Sequence, residues 1–133
     1  MSNAIQIAGC CVGDRVLALW HDHHVFNKIT KIELDEESSH FYVSGKSLTQ
    51  ADIIANVTRS GVDHARQVLK EQIVQRENAL LNFCKACMGA WKMLNFESKC
   101  DKGTAFQMQL DFLAEYYMLL DKLENYEKSK ENI

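Results

Sequence analysis

The feature that most constrains this chain is a long apolar stripe with helical spacing that begins after Gly61. Its members recur every three, four or seven residues, which keeps them on one side of an α-helix. The chain contains no proline that could interrupt it. An unbroken helix of about 35 residues would be ~50 Å long at ~1.5 Å per residue. The stripe comprises Val62, Ala65, Leu69, Ile73, Leu80, Phe83, Cys87, Trp91 and Leu94.

A second stripe of the same kind predicts a second helix. Residues 97–103 read ESKCDKG and are expected to form the loop between the helices, and the hydroxyl of Thr104 suits a helix N-cap. Two long helices joined by a short loop predict an antiparallel hairpin of coiled-coil type over residues 61–133. The second stripe comprises Phe106, Leu110, Leu113, Tyr117, Leu120 and Leu123.

Before residue 60 the apolar residues alternate instead, which is typical of β-strands. Strands are predicted over residues 12–20, 25–34 and 40–43, with polar turns at 21–24 and 44–46 and an acidic hairpin tip at 35–39. Residues 47–57 are expected to form a weaker strand or a single helical turn. The predicted fold class is α+β: a small antiparallel β-barrel or curved sheet over residues 1–60, then the helical hairpin.

Composition and charge argue against several classes of partner. The net charge is −3 and is spread evenly, so neither half offers the basic surface that nucleic acids or anionic membranes require. No apolar run approaches the ~18 residues of a membrane span. Five cysteines, two of them adjacent at positions 10 and 11, favour reduced thiols and a cytoplasmic location.

The stretch FCKACMGAW contains a Cys-x-x-Cys pair, Cys84 and Cys87, with three possible roles. A redox pair needs its first cysteine at a helix N-terminus, whereas the preceding QRENALLN predicts that Cys84 lies in mid-helix. Zinc needs two further ligands, which could come from the cysteines at positions 10, 11 and 100 or from the histidines at positions 21, 23 and 24. The third reading, which we favour, is that both cysteines pack as small apolar side chains.

Catalytic motifs are not evident elsewhere. His21-Asp22-His23-His24 could hold a metal or exchange protons if it lay on a strand, but a solvated turn is the commoner explanation. The chain has no nucleophile elbow and no phosphate-binding glycine loop. We therefore expect no enzymatic activity, no cofactor and no bound metal, with a structural zinc site as the open alternative.

Residues 12–57 resemble Tudor and SH3-like small β-barrels. The resemblance is carried by the opening Gly13-Asp14-x-Val16-x-Ala18-x-Trp20, followed by the strand pattern described above. It implies a reader of peptide tails, often methylated, held in an aromatic cage. Trp20 and Phe26 match two cage positions, and the other two fall near Val43 and Lys46. The alternative is that Trp20 and Phe26 fill the core of the module.

The functional hypothesis comes from the hairpin. Between Ala79 and Phe96 the only charged residues are Lys85 and Lys92, so this part of the helix is apolar on nearly all sides and needs more cover than one neighbouring helix gives. Either the sheet packs back onto it or two hairpins form a four-helix bundle, and we favour the homodimer. The predicted activity is that of a non-enzymatic adaptor that binds proteins. Its predicted binding residues are Trp20, Phe26 and Tyr42 on the sheet and Phe83, Trp91, Phe106, Leu113 and Tyr117 on the hairpin. The alternative is a regulator attached to nucleic acid or to the transcription machinery through the barrel.

Overall fold

A computed structural model describes residues 6–7, 9–34 and 38–131. The fold is α+β: an N-terminal antiparallel sheet is followed by long helices, as the sequence predicts. None of the helices in the described part of the chain has the length and apolar content of a membrane span. Residues 35–37, the first three of the predicted acidic tip at 35–39, lie outside the described residues.

Seven strands are present in the described residues, and five of them form one sheet in the order β6-β5-β4-β3-β7. The first two strands pair only with each other. The sheet is open rather than closed into a barrel. The strands are β1 (Gln6–Ile7), β2 (Cys10–Cys11), β3 (Arg15–Trp20), β4 (His23–Leu34), β5 (Ser39–Val43), β6 (Lys46–Leu48) and β7 (Ile53–Asn56).

The turn between β5 and β6 shows how local sequence sets the strand pairing. Val43 pairs with Lys46, which leaves a two-residue loop, and both loop residues have positive φ: Ser44 at 54° and Gly45 at 77°. Such loops match the twist of the flanking strands, and glycine adopts this backbone conformation without steric cost. The predicted turn at residues 44–46 is therefore confirmed.

One face of the five-stranded sheet carries a hydrophobic core. Trp20, Val25 and Ile53 are partly buried at its border. Alternate residues of β3 and β4 point to this face, and their neighbours point to the other. The buried members of the core are Cys10, Val16, Ala18, Ile29, Ile32, Phe41, Val43 and Leu48.

The other face of the sheet is covered by helical residues. Leu17 and Phe26 pair across β3 and β4 and are both buried. The Phe26 ring meets that of Tyr126 edge-on, with ring centroids 6.0 Å apart. Since the consecutive residues Val16, Leu17 and Ala18 are all buried, β3 is packed on both faces, as its sequence predicts.

The helices are α1 (Val57–Ser60), α2 (Asp63–Ala90) and α3 (Phe96–Glu131), with a 3-10 turn at Trp91–Met93. The prediction that residues 97–103 form the loop is wrong, because this segment is the first part of α3. The side-chain oxygen of Asn95 accepts a hydrogen bond from the backbone N–H of Ser98 at 2.7 Å, so Asn95 caps the helix. Thr104 lies inside α3, where its hydroxyl donates to the carbonyl of Cys100 at 3.1 Å.

The chain divides into two compact units. The first, which we call the sheet unit, contains the residues up to Gln67 together with those from Lys122 onward; the second, Val68–Asp121, is the hairpin unit. Both α2 and α3 contribute to each unit. The domain boundary placed at residue 60 from sequence stays a prediction.

An ion-pair cluster joins the two helices inside the sheet unit. The Arg66 guanidinium lies 2.7 Å from one carboxylate oxygen of Glu124 and 3.1 Å from a carboxylate oxygen of Asp63, and it also contacts Glu127. These carboxylates raise the pKa of Arg66 further above its ordinary value, mainly through the hydrogen bond to Glu124. The cluster fixes the start of α2 against the end of α3.

Candidate protein interaction surface

The candidate surface begins with a second apolar stripe on α2, distinct from the stripe that faces α3. Val74, Leu81 and Met88 are seven residues apart, so they lie almost in line along the helix. Their exposed fractions are 54%, 52% and 78%. Single exposed apolar residues are common on protein surfaces, but several aligned on one side of a helix make that side a candidate for binding another molecule.

A corresponding line runs along α3. Phe96, Gly103, Leu110 and Tyr117 are also seven residues apart, and Phe96 and Tyr117 are 84% and 48% exposed. The two lines lie on the same side of the hairpin, since the Tyr117 hydroxyl donates a hydrogen bond to a Glu77 carboxylate oxygen at 3.3 Å. We call this side the apolar face, formed by Val74, Leu81, Cys84, Met88, Trp91, Phe96, Gly103, Leu110 and Tyr117.

Where the apolar face approaches the loop end of the hairpin, it deepens into a cleft of about 480 Å³, which we call the tip cleft. The two cysteines and three aromatic rings form its walls. The residues that line it are Phe83, Cys84, Cys87, Met88, Trp91, Lys92, Lys102, Gly103 and Phe106. Phe83 and Phe106 stack across the two helices with ring centroids 6.4 Å apart, so the cleft has a fixed aromatic base.

Lysines border this apolar cleft. The ammonium of Lys102 lies 5.9 Å from the centre of the Phe83 ring, and that of Lys99 lies 5.5 Å from the centre of the Trp91 ring. Both distances are within the range of cation–π attraction. The tip cleft therefore combines an apolar interior with a positive border, which suits an apolar group with a carboxylate beside it.

The structure places Cys84 and Cys87 in the walls of the tip cleft, where both are half-buried. Cys84 lies well inside α2, as predicted, so it lacks the free backbone N–H groups that activate a redox thiol at a helix N-terminus. Among the residues that the structure describes, no group of three or more His, Cys, Asp or Glu side chains is placed to hold a metal ion. The packing role that the sequence favours for these thiols stays a prediction.

A second groove on the hairpin, of about 630 Å³, shares Phe83 with the tip cleft and is more polar. The Arg76 guanidinium lies over the rings of Phe112 and Tyr116, at 4.3 Å and 5.3 Å from their centres. Burial raises the pKa of Tyr116, while its hydrogen bond with Arg76 lowers it, and the net direction is upward. Phe112 lines this groove and is covered by Arg76, so the groove offers less apolar surface than the tip cleft.

The binding residues predicted on the hairpin are only partly brought together. Phe83, Trp91 and Phe106 line the tip cleft, and Tyr117 lies farther along the apolar face. Leu113 is half-buried and lies seven residues after Phe106, on the line that packs between the helices. Sequence reasoning did not identify Val74, Leu81 and Met88, although their spacing of seven was a readable signal.

The aromatic residues predicted on the sheet do not form one site. Trp20 pairs with His23 and faces the main core, whereas Phe26 pairs with Leu17 on the opposite face. Trp20 and Phe26 therefore cannot line a single aromatic cage. Phe26 is buried, as the core-filling alternative holds. Trp20 and Tyr42 are half-exposed and stay predicted contacts for a second protein.

The strongest polar cluster in the sheet unit is structural in character. One carboxylate oxygen of the buried Asp14 accepts hydrogen bonds from the backbone N–H of Cys11 at 2.9 Å, from Asn56 at 2.9 Å and from Arg59 at 2.7 Å. Burial acts to raise the pKa of Asp14, but these hydrogen bonds lower it below its ordinary value. The Gly13-Asp14 opening thus holds the start of β3 to the end of β7.

The histidines at residues 21–24 are dispersed. His21 is an exposed turn residue with φ of 55°, and His23 and His24 begin β4. The His21 ring lies edge-on to Trp20 with centroids 4.3 Å apart, and His24 is buried. The arrangement indicates a turn stabilised by ring packing.

Comparisons with protein-family models, with curated proteins and with solved structures found no match to this chain.

Proposed function

We propose that this protein is a non-enzymatic adaptor that associates with a second copy of itself through the apolar face of its hairpin. The observation that supports this is the row of exposed apolar side chains along both helices, ending in the tip cleft. Two hairpins packed by such faces form a four-helix bundle, in which every helix has two neighbours. The stripe between α2 and α3 packs each helix against the other helix of its own hairpin, and the apolar face packs it against a helix of the second copy.

The energy available is sufficient for a stable dimer. Burial of ~800 Å² of apolar area at ~25 cal/mol per Å² yields a gross ~20 kcal/mol. Association costs roughly 4–15 kcal/mol in lost freedom of motion, and ordering of the exposed methionines adds to that cost. The remainder covers the range of micromolar to nanomolar homodimers.

Leu81 is the position that tests the proposal best, since it lies at the middle of the α2 stripe and is half-exposed. A Leu81→Glu variant keeps a good helix former and leaves the packing between α2 and α3 intact. We expect analytical ultracentrifugation to give the mass of one chain for Leu81→Glu and of two chains for the native protein. The reason is that an unpaired carboxylate at the centre of an apolar interface is strongly disfavoured.

Gln75→Glu is the matched control, because Gln75 is exposed, lies on α2 and is outside the apolar face. It adds the same charge and should remain a dimer. A native protein that sediments as a single chain at high concentration would refute the proposal, as would an unchanged dimer in the folded Leu81→Glu variant. Cytoplasmic location and the lack of a nucleic-acid partner stay predictions from composition.

A further inference from the structure

The α2 stripe has a centre, and this sets the geometry of a symmetric dimer. Val74 and Met88 lie seven residues before and after Leu81. A two-fold axis through Leu81, perpendicular to the helix, would pair Leu81 with its own copy and Val74 with Met88 of the second copy. A two-fold axis parallel to the hairpin would instead pair each residue with itself.

Charge is divided unevenly between the two ends of the hairpin unit. The loop half, residues 79–106, carries four lysines (Lys85, Lys92, Lys99 and Lys102) and two carboxylates. The other half, residues 68–78 and 107–121, carries two basic residues and five carboxylates (Glu71, Glu77, Asp111, Glu115 and Asp121). One end of the hairpin is therefore positive and the other negative.

This distribution distinguishes the two arrangements. Copies running in the same direction would place the four lysines of one loop half against the same four lysines of the other, which is repulsive. Copies running in opposite directions place each positive end against a negative end. Glu77 and Lys85 show this directly, because they lie four residues either side of Leu81 and come to the same level in the antiparallel arrangement.

The tip cleft fits the antiparallel arrangement as well. Tyr117 is joined to Glu77 by a hydrogen bond at 3.3 Å, so it reaches the same level as Glu77. In the second copy that level faces Lys85, which lies in α2 between Cys84 and Cys87, two residues that line the tip cleft. The cleft takes an apolar group with a carboxylate beside it, and the Tyr117–Glu77 pair of a second copy supplies both.

From these observations we infer that the dimer is antiparallel, with a two-fold axis at Leu81 and with Tyr117 and Glu77 of each copy seated at the tip cleft of the other. This inference rests on the proposed function, because it specifies the orientation of the dimer proposed there. The experiment below separates the failure of one from the failure of the other.

Disulfide crosslinking reads the orientation directly. In a variant whose five native cysteines are replaced by serine, single cysteines are introduced as Leu81→Cys, Val74→Cys or Met88→Cys. Met88 and its copy would be separated along the bundle by ~21 Å in the antiparallel dimer, at ~1.5 Å per residue over fourteen residues. In a parallel dimer both copies would lie at the same level, about 8–10 Å apart between helix axes.

If the dimer is antiparallel, Leu81→Cys should form a disulfide-linked dimer under mild oxidation. Val74→Cys alone and Met88→Cys alone should not form one. A mixture of Val74→Cys and Met88→Cys that is refolded together should form a disulfide between the two variants. Self-crosslinking of Val74→Cys and Met88→Cys, with no gain in the mixture, would overturn the orientation and leave the proposed function standing. No crosslink in any of the four samples, with the mass of a single chain, would overturn the proposed function itself.

Salt provides a second measurement on the native protein, which guards against a cysteine-free variant that fails to fold. Opposite charges attract across the antiparallel interface, so raising ionic strength from about 0.05 M to about 0.5 M screens the attraction. We expect the dimer dissociation constant to rise about tenfold over that range. A constant that falls with added salt would indicate that like charges meet, and would overturn the orientation.

Discussion

Replacement of Asp14 by asparagine should destabilise the sheet unit by an amount that depends on pH. Asp14 is buried at the opening of β3, and one of its oxygens accepts three hydrogen bonds. Asparagine preserves the size of the side chain and offers one carbonyl oxygen to the same donors. It removes the negative charge, and with it the attraction to Arg59 at 2.7 Å.

The expected loss follows from the three hydrogen bonds. A bond to a charged acceptor contributes about 1.5–3 kcal/mol, and a neutral bond about 0.5–1.5 kcal/mol, so each weakened bond costs roughly 1 kcal/mol. The bonds from Cys11 and Asn56 are partly buried, and the contact with the exposed Arg59 side chain adds little because water screens it. The free energy of unfolding should therefore fall by about 2 kcal/mol, which for a unit of this size lowers Tm by roughly 10 °C.

The pH dependence follows from the lowered pKa of Asp14. Because the pKa is lower in the folded than in the unfolded protein, the charged carboxylate stabilises the fold at pH values above the unfolded pKa of about 3.9. That stabilisation is lost as the pH falls through the folded pKa. The stability difference between the native protein and Asp14→Asn should thus shrink in acid, as the pH falls through the lowered pKa of Asp14.

Fluorescence of Trp20 provides the assay, since this residue borders the core of the sheet. A Trp91→Phe background removes the second tryptophan, which lies in the hairpin unit, and leaves Trp20 as the reporter. Urea titrations between pH 7 and pH 2 then yield the free energy of unfolding of both proteins at each pH. A stability difference that stayed constant over this range would refute the reasoning, because the difference would then not come from the charge of Asp14.

Two further predictions concern packing. Arg76→Ala should lower the free energy of unfolding of the hairpin unit by about 1–2 kcal/mol, because Arg76 covers the rings of Phe112 and Tyr116. Far-ultraviolet circular dichroism during heating measures this loss, and Arg76→Lys should recover part of it. Phe26→Ala should lower the free energy of unfolding of the sheet unit by about 3–5 kcal/mol, because Phe26 is buried against Tyr126. A urea titration followed by Trp20 fluorescence measures this, and a loss below about 1 kcal/mol would contradict the core position of Phe26.

The strands could be predicted because alternation depends on neighbouring residues alone. Which face of the sheet Trp20 and Phe26 occupy could not be predicted in this way, since it depends on how β3 and β4 pair. Both residues carry even numbers, but the tight turn after Trp20 pairs it with His23, so even positions of β3 share a face with odd positions of β4. A turn longer by one residue would have placed Trp20 and Phe26 together.

The loop between the helices was misplaced for a different reason. Gly103 and Thr104 suggested a break and a cap, yet ESKCDKG contains enough helix-forming residues to tolerate one glycine. The actual cap is Asn95, whose role depends on its hydrogen bond with Ser98. The two adjacent tyrosines were also assigned the wrong way round. The predicted stripe contained Tyr117, but the buried tyrosine is Tyr116, and Tyr117 is exposed.

The hairpin unit buries little of itself, and this ties its stability to its proposed function. Of its apolar residues, Leu69, Ile73 and Tyr116 are buried, whereas the sheet unit holds the rest of the buried apolar side chains in the described chain. Arg76 occupies a position between the helices where a coiled coil ordinarily places an apolar residue. If a second copy covers the apolar face, as proposed, the dimer adds to the stability of a pair of helices whose own core is small. Leu81→Glu would then remove this added stability by preventing association, although the packing between α2 and α3 is unchanged.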